Sequence, residues 1–263
     1  QDVPIGALEA LTGVLGHLAG EDLVILPRTP RVVGGRGTWV VTPASVLGVG
    51  DRAMALWVDG PGAGVVAVIA FDEIAAIVDR TILLLGRLEV IGAGRSIVVR
   101  YNTVGRHLVR NALAEARRSF WPPALPPAVE GIRPEQLPHK WKALLHSSDV
   151  LPHGPDGLLV AAGALGDPRA LRNGVAALSS TELLIATEPT TAGESGHYGV
   201  DLVVVPRPRL TALTTAPSAV IATVDVAGRP VQVPIEVSPS LAAAIEATLV
   251  PAVADPVVPA VAG

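Results

Sequence analysis

The sequence predicts a mainly β fold with α-helices, arranged as two β-rich modules that are each closed by a C-terminal helix. Three observations carry that expectation. The order of elements in residues 65–116 recurs in residues 200–249. Between the helical stretches, short apolar runs are punctuated by Gly, Pro and Asp, as strands and turns are. A length of 263 residues suits two units of about 100 to 150 residues, each able to bury a core without staples.

Residues 3–19 set Leu8, Leu11, Leu15 and Leu18 at helical spacing and predict an amphipathic helix docked on the first module. Glu9 and the lack of a basic leader separate this stretch from a signal peptide, although a start at Gln1 rather than Met is compatible with an upstream segment. Residues 22–26 read as a strand ending at Pro27, and residues 28–37 as a Pro- and Gly-rich loop. Residues 38–41, 45–49 and 53–58 follow as strands, and Gly60-Pro61-Gly62-Ala63-Gly64 turns into the repeated unit. In each copy of that unit a strand meets a short step, Phe71-Asp72-Glu73-Ile74 or Pro206-Arg207-Pro208-Arg209-Leu210. A hairpin turning at Gly94-Arg95 or Gly228-Arg229 comes next, and then a helix. The first of these helices, residues 103–119, pits Val104, Leu108, Leu113 and Ala116 against Arg106, Arg110, Arg117 and Arg118.

Six prolines between residues 120 and 138 forbid a continuous helix and favour a stiff connection. The expected organisation is therefore a first domain over 1–119, a proline-rich linker over 120–157, a second domain over 158–250 and a flexible tail over 251–263. Within the linker, residues 139–145 predict a short helix with Trp141, Leu144 and Leu145 free to dock.

Composition narrows the function. A net charge of −4 without a basic block, and only eight aromatic residues, argue against nucleic-acid binding. No cysteine is present, so disulfides and thiol chemistry are excluded. Asp72, Arg80 and Arg87 interrupt the apolar runs far short of the ~20 residues a spanning helix needs, and no transmembrane segment is expected. His139, His146 and His153 recur every seven residues, but Pro138 and Pro152 break any helix that would align them, and metal sites use tighter spacing. Ser147-Ser148-Asp149 beside His146, and Ser179-Ser180-Thr181-Glu182, supply hydrolase atoms without a nucleophile elbow. Asp72 and Glu73 are adjacent, which on a strand sends them to opposite faces. No catalytic, cofactor or metal site is expected, and the chain is not read as an enzyme.

Residues 37–59 with 71–101, and residues 174–187 with 198–235, resemble bacterial pleckstrin-homology-like (PH-like) domains: a strand running into Thr, an apolar step and a Gly-turned hairpin, closed by a helix. The resemblance implies two tandem PH-like barrels of roughly orthogonal sheets, each closed by its C-terminal helix. It implies binding and assembly rather than catalysis. Pro206, Pro208 and Pro234 then mark edge or bulge positions in the second copy.

The favoured expectation is a non-enzymatic binding or assembly protein that works through protein partners or self-association. Its contacts are expected on the β-prone stretches 81–90 and 219–226, with Leu83, Leu85, Ile221 and Thr223 as edge-strand candidates. The alternative is a peripheral membrane module in which Arg28, Arg31 and Arg36, flanking Gly34-Gly35, hold anionic lipid headgroups. A third class, an enzyme with an inter-domain site, requires a polar cleft between the modules. The expected location is cytoplasmic, or membrane-peripheral under the alternative.

Overall fold

Strands from the two halves of the chain pair with each other. The computed structural model describes residues 3–19, 22–33, 38–82, 84–121, 133–155, 157–163, 173–189 and 199–254. Helix α1 (Ala7–Leu15) precedes β1 (Leu23–Leu26), a hairpin of β2 (Thr29–Val33) and β3 (Thr38–Thr42), and then β4 (Ser45–Val49), β5 (Ala53–Val58) and β6 (Gly64–Ala70). A 3-10 turn (Phe71–Glu73) leads to β7 (Ile74–Ile82), β8 (Leu85–Gly92), β9 (Ser96–Asn102) and α2 (Arg106–Phe120). Past α3 (His139–Leu145) come β10 (Leu159–Ala162), β11 (Gly174–Leu178), β12 (Glu182–Thr187) and β13 (Gly199–Pro206). A second 3-10 turn (Arg207–Arg209) opens onto β14 (Leu210–Ala216), β15 (Ala219–Val226), β16 (Arg229–Glu236) and α4 (Pro239–Ala254).

Strand, 3-10 turn, three strands and helix thus occur in the same order twice. Both repeat hairpins turn on a left-handed glycine, Gly94 at φ 85° and Gly228 at φ 78°. In the second, Ala227 at φ 52° is left-handed too, and two consecutive left-handed residues give the hairpin turn that follows strand twist. Residues 28–37, expected as loop, contribute β2, which pairs with β3. Residues 251–254 of the expected tail complete the last turn of α4, and 255–263 lie outside the described residues.

The sheets run β1-β4-β5-β6, β14-β15-β16 and β10-β11-β12-β13-β7-β8-β9, beside the β2-β3 hairpin, and every pairing is antiparallel. The chain is mainly β with α-helices, but none of these sheets closes as a barrel. The reason lies at β7, where residues 77–82 pair with 199–204 of β13 and join the three strands of the first half to the four of the second. The Thr81 hydroxyl adds a bond across this seam, donating to the Val200 carbonyl at 3.0 Å.

The shared sheet is the spine on which everything packs. Alternation along its strands sends Val160, Val175, Ala177, Leu184, Ala186, Leu202 and Val204 to one face, and Leu159, Ala161, Ala176, Leu178, Leu183, Ile185 and Val203 to the other. Both faces are covered at β11 and β12, which explains why these two strands read as unbroken apolar runs rather than alternating ones. The first face shares a core with Leu47, Met54 and Leu56 of the β1-β4-β5-β6 sheet and with Val109 and Leu113 of α2. The second face meets β14–β16 and α4 through Leu213, Val224, Leu241 and Ile245. Helix α1 covers the outer side of the β1-β4-β5-β6 sheet, setting Ala7 and Leu11 on Val46, Ala55 and Trp57.

The described part of the proline-rich connection is itself a packing layer. Leu137, Trp141, Leu145, Val150 and Leu151 are buried in the core that both halves contribute to. Helix α2 also sits differently from its sequence pattern. Val104, in a 3-10 turn ahead of the helix, and Leu108 are exposed, while Arg110 and Arg117 are buried. The burial is possible because each arginine meets a carboxylate inside: Arg110 donates from Nε to Asp79 at 2.7 Å, and Arg117 to Glu182 at 2.8 Å.

Candidate functional site

The β14–β16 sheet covers the spine as far as β7, where Ala75, Ala76 and Val78 join its core. Further along, the corresponding face of β8 and β9 carries exposed side chains, among them Leu85, Val98 and Arg100. Register places three arginines in one line there. Arg80 stands opposite Arg87, and Arg87 opposite Arg100. Directly opposed positions on neighbouring strands share a face, with strands about 4.8 Å apart, so the three guanidinium stems rise side by side.

A cavity of about 340 Å³ lies along this line, bounded by the three arginines with Thr42, Ile82, Leu85, Gly86 and Tyr101. Arg87 is offset by Glu89 at 2.8 Å. The side chains of Arg80 and Arg100 make no ion pair or hydrogen bond among the described residues. Like charges directly opposite on a sheet cost stability, roughly 0.2–1 kcal/mol per pair, and an anion laid along the line reverses the sign. Guanidinium groups also present forked N–H donors suited to phosphate and carboxylate oxygens. In the next row toward the β7–β8 turn, Ile82 and Leu85 add an apolar wall, and Leu85 is 55% exposed.

The cavity floor is fixed from beneath. Tyr101 lies across its cross-strand partner Gly86, where an added Cβ would meet the ring at 2.3 Å. Its hydroxyl donates to Asp79 Oδ1, and Arg110 Nε donates to Asp79 Oδ2 at 2.7 Å, all three side chains being buried. Burial, reinforced by the neighbouring Asp79 charge, pushes the Tyr101 phenol up, so the tyrosine stays a hydrogen-bond donor. The ring is thereby held in one orientation.

Of the residues singled out from the sequence, Leu85 lines this cavity and Arg28 does not. Arg28 is exposed just before β2 and lies 3.6 Å from Asp59. Arg31 is on β2 opposite Val40, with its side chain outside the described residues, as is all of Arg36. Leu83 also lies outside them, and Leu85 lines the cavity. The expected edge strands are interior. β7 runs between β13 and β8, β8 between β7 and β9, and β15 between β14 and β16. Ile221 and Thr223 therefore sit where both backbone sides are already paired, opposite Thr214 and Ala212 on one strand and Pro234 and Gln232 on the other. On the outermost strand of that sheet, Pro230 and Pro234 of β16 remove donors, which discourages further pairing.

Three of the other polar candidates, Ser179, Glu73 and His146, have structural work. The Ser179 hydroxyl accepts from the backbone N–H of Thr181 and of Glu182, tying the β11–β12 turn. Glu73 pairs with Arg95, whose Nη2 donates to Oε1 at 2.7 Å, and this bond holds the Glu73 carboxyl below the usual carboxylate range. His146 caps α3, its Nδ1 2.9 Å from the Lys142 carbonyl. Among the described residues no group of three or more His, Cys, Asp or Glu could hold a metal ion, and no helix is long and apolar enough to cross a membrane. No family model matches the chain, and no curated protein compared with it matches.

One signal in the sequence points to the arginine line. Arg80 and Arg87 are equidistant from the β7–β8 turn, and Arg87 and Arg100 from the Gly94 turn, so two hairpins with fixed turns imply their alignment.

Proposed function

We propose that this chain is a non-enzymatic binding protein, built from two PH-like modules fused through one sheet, that recognises an anionic group on its partner at Arg80, Arg87 and Arg100. The observation that carries the reading is the register, which opposes three arginines on an exposed sheet face and leaves two of them without an ion pair among the described residues. The recurrence of three strands and a closing helix after each 3-10 turn supports the PH-like resemblance. On this reading the protein acts in the cytoplasm, and any membrane contact runs through bound headgroups at the same line.

Calorimetric titration with tripolyphosphate tests it. Wild-type protein is expected to bind saturably at ~0.05 M salt and more weakly at ~0.15 M, where exposed charges are better screened. The Arg80→Gln/Arg87→Gln/Arg100→Gln variant is expected to lose binding with no fall in melting temperature, since two like-charge pairs are relieved. A wild type that ignores the anion at low salt overturns the reading.

Protein assembly is a second reading, favoured by the exposed Leu84, Leu85, Val104 and Leu108 around the β7–β8 turn, where Thr103 N–H bonds the Leu84 carbonyl at 3.1 Å. Light scattering over a dilution series decides it, and a monomer at every concentration rules out self-association through this patch.

A further inference from the structure

The row is longer than one phosphate. Three neighbouring strands span roughly 10 Å from first to third, and the three guanidinium forks along them offer more donors than one phosphate uses when it rests on a single neighbouring pair. Charge along the line is also uneven. Beyond Arg80 the next residue in register is Asp201 on β13, whereas Arg100 lies on β9, the last strand of the sheet. Arg80 therefore has a carboxylate as one cross-strand neighbour, and Arg100 has none. Glu89 already offsets part of Arg87, which leaves Arg100 with the largest unmet demand for an anion. Parallel to the arginines, Ile82 and Leu85 offer apolar surface one row away, a spacing of about 7 Å along a strand.

Resting on the anion-binding reading above, we infer that the site takes an organic diphosphate: two linked phosphate groups laid across Arg80, Arg87 and Arg100, with an apolar body on Ile82 and Leu85. The chemistry is common to a soluble phosphate ester and a membrane lipid with a diphosphate headgroup. The recess of the site in a cavity of about 340 Å³, within the ordinary range for small-molecule pockets, favours the discrete ester over a flat bilayer.

Four probes test the inference by calorimetry or sedimentation: inorganic phosphate, pyrophosphate, hexyl diphosphate, and phosphatidylcholine vesicles carrying diacylglycerol pyrophosphate. Pyrophosphate is expected to bind about tenfold more tightly than phosphate, because a second charge-assisted pair forms. Hexyl diphosphate gains about another tenfold through two buried methylenes. Arg100→Gln removes the pyrophosphate advantage, whereas Arg229→Gln, the same charge change on the β15–β16 turn, does not. Leu85→Ser removes the hexyl advantage and leaves pyrophosphate binding unchanged. Both substitutions at the site are at exposed positions, and circular dichroism melts verify folding. Equal affinity for phosphate and pyrophosphate, or no gain from the alkyl group, overturns the diphosphate inference while leaving anion binding intact. Vesicle binding without binding of the soluble ester overturns it too, by showing a diffuse charged surface. Failure of every probe removes the anion-binding reading itself.

Discussion

Arg117 on α2 grips Glu182 on β12 with two parallel hydrogen bonds, Nε to Oε2 at 3.0 Å and Nη2 to Oε1 at 2.8 Å, and the same Nη2 donates to the Val150 carbonyl. Helix from the first half, strand from the second and the connection between them meet at one guanidinium, with Arg117 3% and Glu182 1% exposed. Removing one partner leaves a buried charge uncompensated. Arg117→Ala or Glu182→Ala is expected to cost about 3–5 kcal/mol in urea denaturation, and Arg117→Met/Glu182→Leu together less than either. Because the halves share this pair and one core, far-ultraviolet dichroism and tryptophan fluorescence should report a single coincident transition. Two separated transitions would show that the halves unfold independently.

Gly86→Ala tests the cavity floor. A methyl group there collides with the Tyr101 ring, which cannot swing aside without breaking its bond to buried Asp79. A loss of about 1–3 kcal/mol is expected, together with weakened anion binding as the ring shifts. Unchanged stability would mean that the ring is free to move.

The Glu73–Arg95 pair sets a pH dependence. Its hydrogen bond holds the Glu73 carboxyl below the unfolded value of about 4.3, so its contribution is present above that value and disappears as pH falls through the folded one. Melting temperatures of wild type and Glu73→Gln should differ at pH 7 and converge in acid. The gap should stay below about 1 kcal/mol, since both side chains are partly exposed. A gap that widens in acid contradicts the assignment.

Arg209 clamps the other copy of its own structural element. From the second 3-10 turn it donates to three carbonyls around the first, Phe71 at 2.8 Å, Asp72 at 2.7 Å and Ile74 at 2.9 Å. Lysine keeps the charge but cannot fork, so Arg209→Lys should destabilise by about 1–3 kcal/mol in thermal melts. Full rescue by lysine would show that charge rather than geometry matters there.

The repeat was legible because its order is written in local signals: turn glycines, strand runs and a closing helix. The seam was not. Val78 and Val203 face each other across β7 and β13, but a pairing so distant in sequence leaves no periodic mark on either strand. Similarly, Arg110 and Arg117 fall on the polar side of a helical wheel, and their burial depends on Asp79 and Glu182, which no local pattern reveals. The arginine line required both hairpin registers at once, which no single stretch of sequence displays. β15 looked like an edge because β-propensity reports a residue's fit to a pleated surface, not which neighbours that surface has.

The joint between β7 and β13 also sets a timetable. Thr81 and Val200 are 119 positions apart, so a ribosome adding about 5–20 residues per second finishes the second strand roughly 6–24 s after the first. Throughout that interval the nascent chain holds a β-prone strand whose eventual neighbour has not been made. Such an edge invites pairing with other growing chains on the same message. Slowing translation between the two segments should raise the aggregated fraction in cells, and supplying a holding chaperone should lower it, even though the finished protein is unchanged.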